Sequence, residues 1–173
     1  MIGSPVPPRV PVGRDASNPK PFLASYRALS VCTRELARLT AMVASGIEEA
    51  SFALDDQKVV IRQTPARFIV QVGPVALTIA WLRSTLDSAA SGELLVMVWR
   101  GTVAPYPTHC PERSSAHRTP NVPTALWEEA FSAVASSEAT WLWQHANADA
   151  MQYSSTQLAA RCVDRLRLAH AHA

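Results

Sequence analysis

Apolar residues change their spacing several times along this chain. Between residues 19 and 46 they recur at three- and four-residue steps: Phe22, Tyr26, Leu29, Cys32, Leu36, Leu39 and Val43. That spacing makes one apolar stripe on an α-helix. Asn18 is suited to cap it, with Pro19 at the first helical position, where a missing amide costs nothing. Gly46 supplies a C-terminal stop. Arg27, Arg34, Glu35 and Arg38 fall largely off the stripe.

The period then becomes two. Phe52 and Leu54 precede the turn signal Asp55-Asp56-Gln57, and Val59 and Ile61 follow it. Phe68, Val70 and Val72 alternate with Ile69 and Gln71 as far as Gly73-Pro74. Glycine followed by proline fits a type II′ hairpin, whose second position accepts proline's φ. Val75, Leu77, Ile79 and Trp81 alternate with Ala76, Thr78, Ala80 and Leu82. After a connection at 84–92, Leu95, Met97, Trp99 and Val103 alternate with Val96, Val98, Arg100 and Thr102. The pattern predicts a four-stranded antiparallel meander with Trp81 and Trp99 on its core face.

The opposite face is then expected to carry Ala76, Thr78 and Ala80, which are small, with Val60, Ile69, Val96 and Val98, which are apolar. A solvated face would hold more Lys, Glu and Gln. The composition therefore predicts a cover: a helix of the same chain, a second subunit or a ligand. Arg100 falls on that same face and needs a carboxylate from the covering element or an anionic ligand.

Leu126, Trp127, Ala130, Phe131 and Val134 return to helical spacing and predict a helix near 124–137. Ala139 to His145 alternates, with Trp141 and Trp143 on one side, and predicts a fifth strand, helix being the competing assignment. The last helix is signposted by Ser154 with Gln157 as a capping box and Tyr153 with Leu158 as a hydrophobic staple. Leu158, Cys162, Leu166 and Ala169 form its stripe, with Arg161, Arg165 and Arg167 off it as a solvated face. The expected fold class is α+β: an antiparallel sheet of four to five strands with an N-terminal helix, the 124–137 helix and a C-terminal helix.

At 173 residues the chain is long enough for one domain with a sizeable core. Six of its 13 prolines precede residue 22, and five more lie between Pro105 and Pro123. Proline blocks helix and central strand. Residues 1–17 are thus expected to be a mobile arm, residues 18–173 the domain, and 104–123 a long irregular loop. The net charge is only +2, and no basic block matches the phosphate spacing of nucleic acid, which counts against a nucleic-acid partner. Fourteen Arg against two Lys suggest a GC-rich bacterial source. The longest apolar run in the strands, Leu94–Trp99, is far short of the roughly 20 residues that cross a membrane. The proline-broken N-terminus has no apolar segment of the kind a secretory signal carries. Three cysteines, an odd number without a CxxC, fit a reduced cytoplasmic protein.

Candidate chemistry is sparse. No P-loop, GxGxxG, HExxH or GxSxG pattern occurs, so no cofactor is implied. In the proline-rich loop, His109, Cys110, Glu112 and His117 have donor types that suit zinc, and His117 could activate the Cys110 thiol. Their spacing matches no metal motif, and the preferred reading is a polar loop without metal. Asp55-Asp56 reads as a turn former rather than a carboxylate pair. His170 and His172 read as a solvated tail, and Cys32 and Cys162 as small hydrophobes in the core.

These features favour a non-catalytic protein-interaction module, expected to be homodimeric, over an enzyme. The candidate ligand or interface residues are Trp81, Trp99, Arg100, Ala76, Thr78, Ala80, Val96 and Val98. The alternative is a small-molecule-binding protein or enzyme that uses a Trp-lined pocket or the 105–118 loop. The element order, helix then strands then helix, resembles the small chaperones of bacterial type III secretion, a minor alternative. Those are typically acidic, whereas this chain is net basic.

Overall fold

Ser25, in an extended conformation, accepts a hydrogen bond from the Ala28 amide at 3.2 Å and starts helix α1 (Tyr26–Glu49). The computed structural model describes residues 22–50, 59–64, 67–83, 88–103, 122–147 and 151–173. The arm at 1–17, Asn18, Pro19, the Asp55-Asp56-Gln57 turn and residues 104–121 lie outside them. The stripe of α1 is as expected at Cys32, Leu39 and Val43, with Phe22 and Leu36 packed against the core, whereas Tyr26 is 76% exposed and Ala28, Val31 and Ile47 are also buried. Gly46 does not end the helix. A Cβ there would come within 3.0 Å of Val163 on the last helix, so this glycine serves close approach of the two helices. The helix tolerates it at a cost of about 1 kcal/mol.

Among the described residues seven strands follow, each antiparallel to the next in chain order. They are β1 (Val59–Gln63), β2 (Arg67–Val72), β3 (Val75–Arg83), β4 (Gly92–Arg100), β5 (Thr124–Val134), β6 (Leu142–His145) and β7 (Gln152–Tyr153). The meander of the first four is as expected. Val72 pairs with Val75 across Gly73-Pro74, and Gly73 has φ +52°, the positive value that a type II′ turn requires at its first position.

The helix expected at 124–137 is instead strand β5. Its core-facing positions are Trp127, Glu129, Phe131 and Ala133, which pair with or flank Val98, Val96 and Leu94 of β4. A charged residue on the buried side breaks the alternation. The Ala, Glu and Leu content favours helix locally, and pairing with β4 overrides that preference. The expected fifth strand begins later than Ala139, because a 3-10 turn (Glu138–Thr140) precedes β6. The sheet is therefore wider than four to five strands, and among the described residues two long helices rather than three accompany it.

Helix α2 (Ser155–Ala171) opens with the expected capping box. Ser154 Oγ accepts from the Gln157 amide at 3.2 Å, and the Ser154 amide donates to Gln157 Oε1 at 2.9 Å. Leu158, Cys162 and Leu166 are fully buried beneath it. The buried faces of α1 and α2 form a single cluster with Val70, Leu77, Ile79, Val96, Val98, Phe131 and Trp143. Both long helices thus pack on one face of the sheet. Ile69, Ala76 and Ala80 are also buried but lie outside that cluster.

Candidate functional site

The register of β3 and β4 assigns the sheet faces. Trp81 pairs with Leu94, Leu77 with Val98 and Ile79 with Val96, all on the helix side. Ala76 pairs with Trp99, Thr78 with Met97 and Ala80 with Leu95 on the other side. Trp81 and Trp99 therefore stand on opposite faces, contrary to expectation. Val96 and Val98 belong to the helix-covered core and not with Ala76, Thr78 and Ala80. The expectation matches the alternations of β3 and β4 one residue out of step, and a one-residue slip exchanges every side chain between faces.

The second face is organised in rows. One runs Arg62, Ile69, Thr78, Met97, Glu128 across β1 to β5. Its neighbours run Val60, Gln71, Ala76, Trp99 on one side and Arg67, Ala80, Leu95, Ala130 on the other. Leu82 pairs with Glu93 beyond them. Leu82 is 47% exposed, and Leu95, Met97 and Trp99 are half-buried. The face thus has an apolar centre, arginines on the β1–β2 side and glutamates on the β4–β5 side. Leu95 and Met97, expected on the core face with Trp99, lie here instead, and Arg62 and Glu128 join them through the β1–β2 and β4–β5 registers.

Two polar groups shape this face. Trp99 Nε1 donates to Thr78 Oγ1 at 3.0 Å, so the indole lies across β3. Gln71 is buried, and its Nε2 lies 2.8 Å from the Gly73 carbonyl, 3.0 Å from that of Val75 and 3.1 Å from that of Gly101. Its Oε1 accepts from the Val103 amide at 3.1 Å. One side chain thereby ties the β2–β3 turn to the end of β4. Gly101, at φ +107°, completes the tie by donating to the Pro74 carbonyl at 2.7 Å.

Arg100 follows the alternation of Val96 and Val98, but at the exposed end of β4. Its Nη2 donates to the His172 carbonyl at 3.2 Å. The partner is the C-terminal end of α2, where a cation is favourable, and not the carboxylate or anion expected.

On the helix side, Trp81, Trp143 and Trp141 form a row of edge-to-face contacts, with centroids 5.8 and 5.7 Å apart. Trp143 Nε1 donates to Ser155 Oγ at 3.1 Å, and Ser155 Oγ donates to Glu35 Oε2 at 2.7 Å. The buried Nε1 atoms of Trp81 and Trp141 have no hydrogen-bond partner. Trp81 also lines a cleft of about 180 Å³ with Leu36, Thr40, Gln63, Arg67 and Phe68.

The densest polar cluster joins β5 to α2. Glu129 accepts from Arg161 Nε at 2.9 Å and from Arg161 Nη2, and His145 Nε2 lies 3.7 Å from Glu129 Oε2. Arg161 also lies over Trp127 and Tyr153, and Arg165 over Trp127. These two arginines therefore hold specific partners rather than forming the expected solvated face. The Glu129 carboxylate raises the Arg161 pKa through their hydrogen bond, against the opposing effect of burial.

Cys32 and Cys162 are buried and form no disulfide. His109, Cys110, Glu112 and His117 lie outside the described residues. Among the described residues, no group of three or more His, Cys, Asp or Glu is placed to hold a metal ion. No described helix is long and apolar enough to cross a membrane. No protein-family model matches the chain, and no curated protein or solved structure matches it at a significant level.

Proposed function

We propose that this chain is a non-catalytic protein-interaction module that works as a homodimer, with the second face of its sheet as the interface. The observation that carries the reading is the apolar patch formed by half-exposed Leu82 and half-buried Leu95, Met97 and Trp99 beside buried Ile69 and Ala80, on the face opposite both long helices. Interfaces place an apolar core inside a polar rim. Here arginines and glutamates on opposite sides of the centre supply such a rim. Among the described residues, Glu129 is engaged in an ion pair and Cys162 is buried in the core.

The test is sedimentation velocity on the whole chain at tens of micromolar. The native protein is expected to sediment as a dimer. Ala80→Arg puts a charge into the centre of the face, and Leu82→Arg does so at a half-exposed position that leaves the monomer core alone. Both should shift the protein to monomer. A monomeric native chain, or a dimer untouched by either change, would overturn the reading.

A second reading is a small-molecule site at the Trp81 cleft. It is favoured by the unpartnered Trp81 Nε1, since a buried donor without an acceptor costs about 1–3 kcal/mol. Native mass spectrometry of the purified chain tests it, because a bound ligand would appear as added mass.

A further inference from the structure

We infer that two copies of this chain stack their second faces about a two-fold axis running along β3, so that Arg62 of each copy meets Glu128 of the other. This inference deepens the homodimer reading and rests on it.

The reasoning begins with one row of the sheet. The pairings Arg62–Ile69, Ile69–Thr78, Thr78–Met97 and Met97–Glu128 place five residues side by side, one from each of β1 to β5. Thr78 on β3 is the midpoint. The cation lies two strands to one side and the anion two strands to the other, about 19 Å apart at the spacing of adjacent strands. The row is therefore antisymmetric in charge about β3. Arg62 has a contact within its own chain, so its sign and its place matter here, not a vacancy.

An isologous interface requires a patch that is its own complement. Any in-plane two-fold axis would bring this face onto a copy of itself, and two of them, one across the strands and one along them, keep the strands of the two sheets aligned, a common arrangement for packed sheets. An axis across the strands sets each strand over itself, which puts the β1–β2 arginines of one copy over those of the other and glutamates over glutamates. An axis along β3 sets β1 over β5 and β2 over β4. Arg62 then meets Glu128, and Ile69 meets Met97. Arg67 comes over Leu95, with Glu93 two residues along the same strand. Only the second axis pairs opposite charges, and it does so twice per dimer. The small residues of β3 sit along the axis, and the Trp99 indole, tied to Thr78, fills the space above them. Charge of this kind fixes orientation and register, and the apolar centre supplies most of the affinity.

The experiment uses the whole chain and three variants: Arg62→Glu, Glu128→Arg and the double exchange. Thermal melts followed by far-UV circular dichroism report whether each monomer is folded. Each single change sets like charges opposite one another at two places, and the dimer dissociation constant should rise at least tenfold. Arg62→Gln and Glu128→Gln remove charge without reversing it and should give smaller rises. The decisive step is mixing. An Arg62→Glu chain presents acid at both positions and a Glu128→Arg chain presents base at both. Their equimolar mixture should form a heterodimer in native mass spectrometry, although each alone is monomeric. The double exchange in one chain should restore the homodimer. A native dimer that both single variants leave intact overturns the axis but not the homodimer. So does a mixture that remains monomeric. A monomeric native chain overturns the homodimer reading itself.

Discussion

Glu129 of β5 holds Arg161 of α2 through two charge-assisted hydrogen bonds, from Nε at 2.9 Å and from Nη2. The Glu129 side chain is 11% exposed, and Arg161 compensates its lost hydration. Arg161→Ala should destabilise the fold by about 1–3 kcal/mol, because it leaves a mostly desolvated carboxylate with only His145 nearby. Glu129→Leu, which restores an alternating apolar strand, should cost less or even stabilise. Urea unfolding of the two variants checks the order. An Arg161→Ala variant as stable as native protein would show that the pair contributes nothing.

That pair also explains where the sequence was opaque. Alternation identifies a strand when one face is uniformly apolar. In β5 the sequence Trp127-Glu128-Glu129-Ala130-Phe131 has a carboxylate on both faces, and its apolar residues then happen to fall at helical steps. The charge on the core face is tolerated because a residue 32 positions later neutralises it, and that is invisible locally. The hairpin at Gly73-Pro74 was legible because its turn chemistry is local. The capping box at Ser154 was legible for the same reason. The face carrying Ala76, Thr78 and Ala80 was half legible. β3 announced its small residues, but its partners on β4 depend on a register that the connection between them fixes. Arg100 shows the same limit, because its acceptor at His172 is 72 residues away.

Ser154 offers a direct measure of local signals. Its Oγ satisfies the Gln157 amide, and Gln157 Oε1 returns the bond to the Ser154 amide. Ser154→Ala removes the first of these and should cost about 0.5–2 kcal/mol. Ser154→Asp keeps an acceptor at the N-terminus of α2 and should recover most of the loss. Chemical denaturation distinguishes the two, and equal stability of all three proteins would remove the cap from the account.

Gly92 is constrained by the tryptophan row. A Cβ at this position would lie 2.0 Å from Trp81 Cζ2, and no side chain can occupy that space without moving the indole. Gly92→Ala should therefore displace Trp81 from its edge-to-face contact with Trp143, at a cost of about 1–3 kcal/mol or more. The near-UV circular dichroism of the tryptophans should change with it. Trp81→Leu on the Gly92→Ala background should cost much less than the two changes added separately, because they act through one contact. Additive losses would show that the indole does not depend on the open space above residue 92.

Cys162 makes stability depend on alkaline pH. Burial raises its thiol pKa from an ordinary value of 9.0 to about 12, with the Glu129 charge adding to the rise and Arg161 opposing it. The unfolded chain releases this proton near pH 9, whereas the folded chain keeps it until about pH 12. Between those values the unfolded state binds fewer protons than the folded one, so stability falls as pH rises. The contribution is complete below pH 9 and declines by up to about 1.4 kcal/mol per pH unit above it. Other groups also titrate there, so the informative quantity is the difference between native protein and Cys162→Ala. Replacing the thiol should cost stability at pH 7.5 through lost packing. By pH 10.5 the gap should narrow by about 1–2 kcal/mol, because only the native chain carries the penalty of a protonated buried thiol. Urea unfolding at the two pH values measures the gap. Parallel alkaline losses in both proteins would mean that the thiol ionises as readily folded as unfolded, which is incompatible with its burial beneath α2.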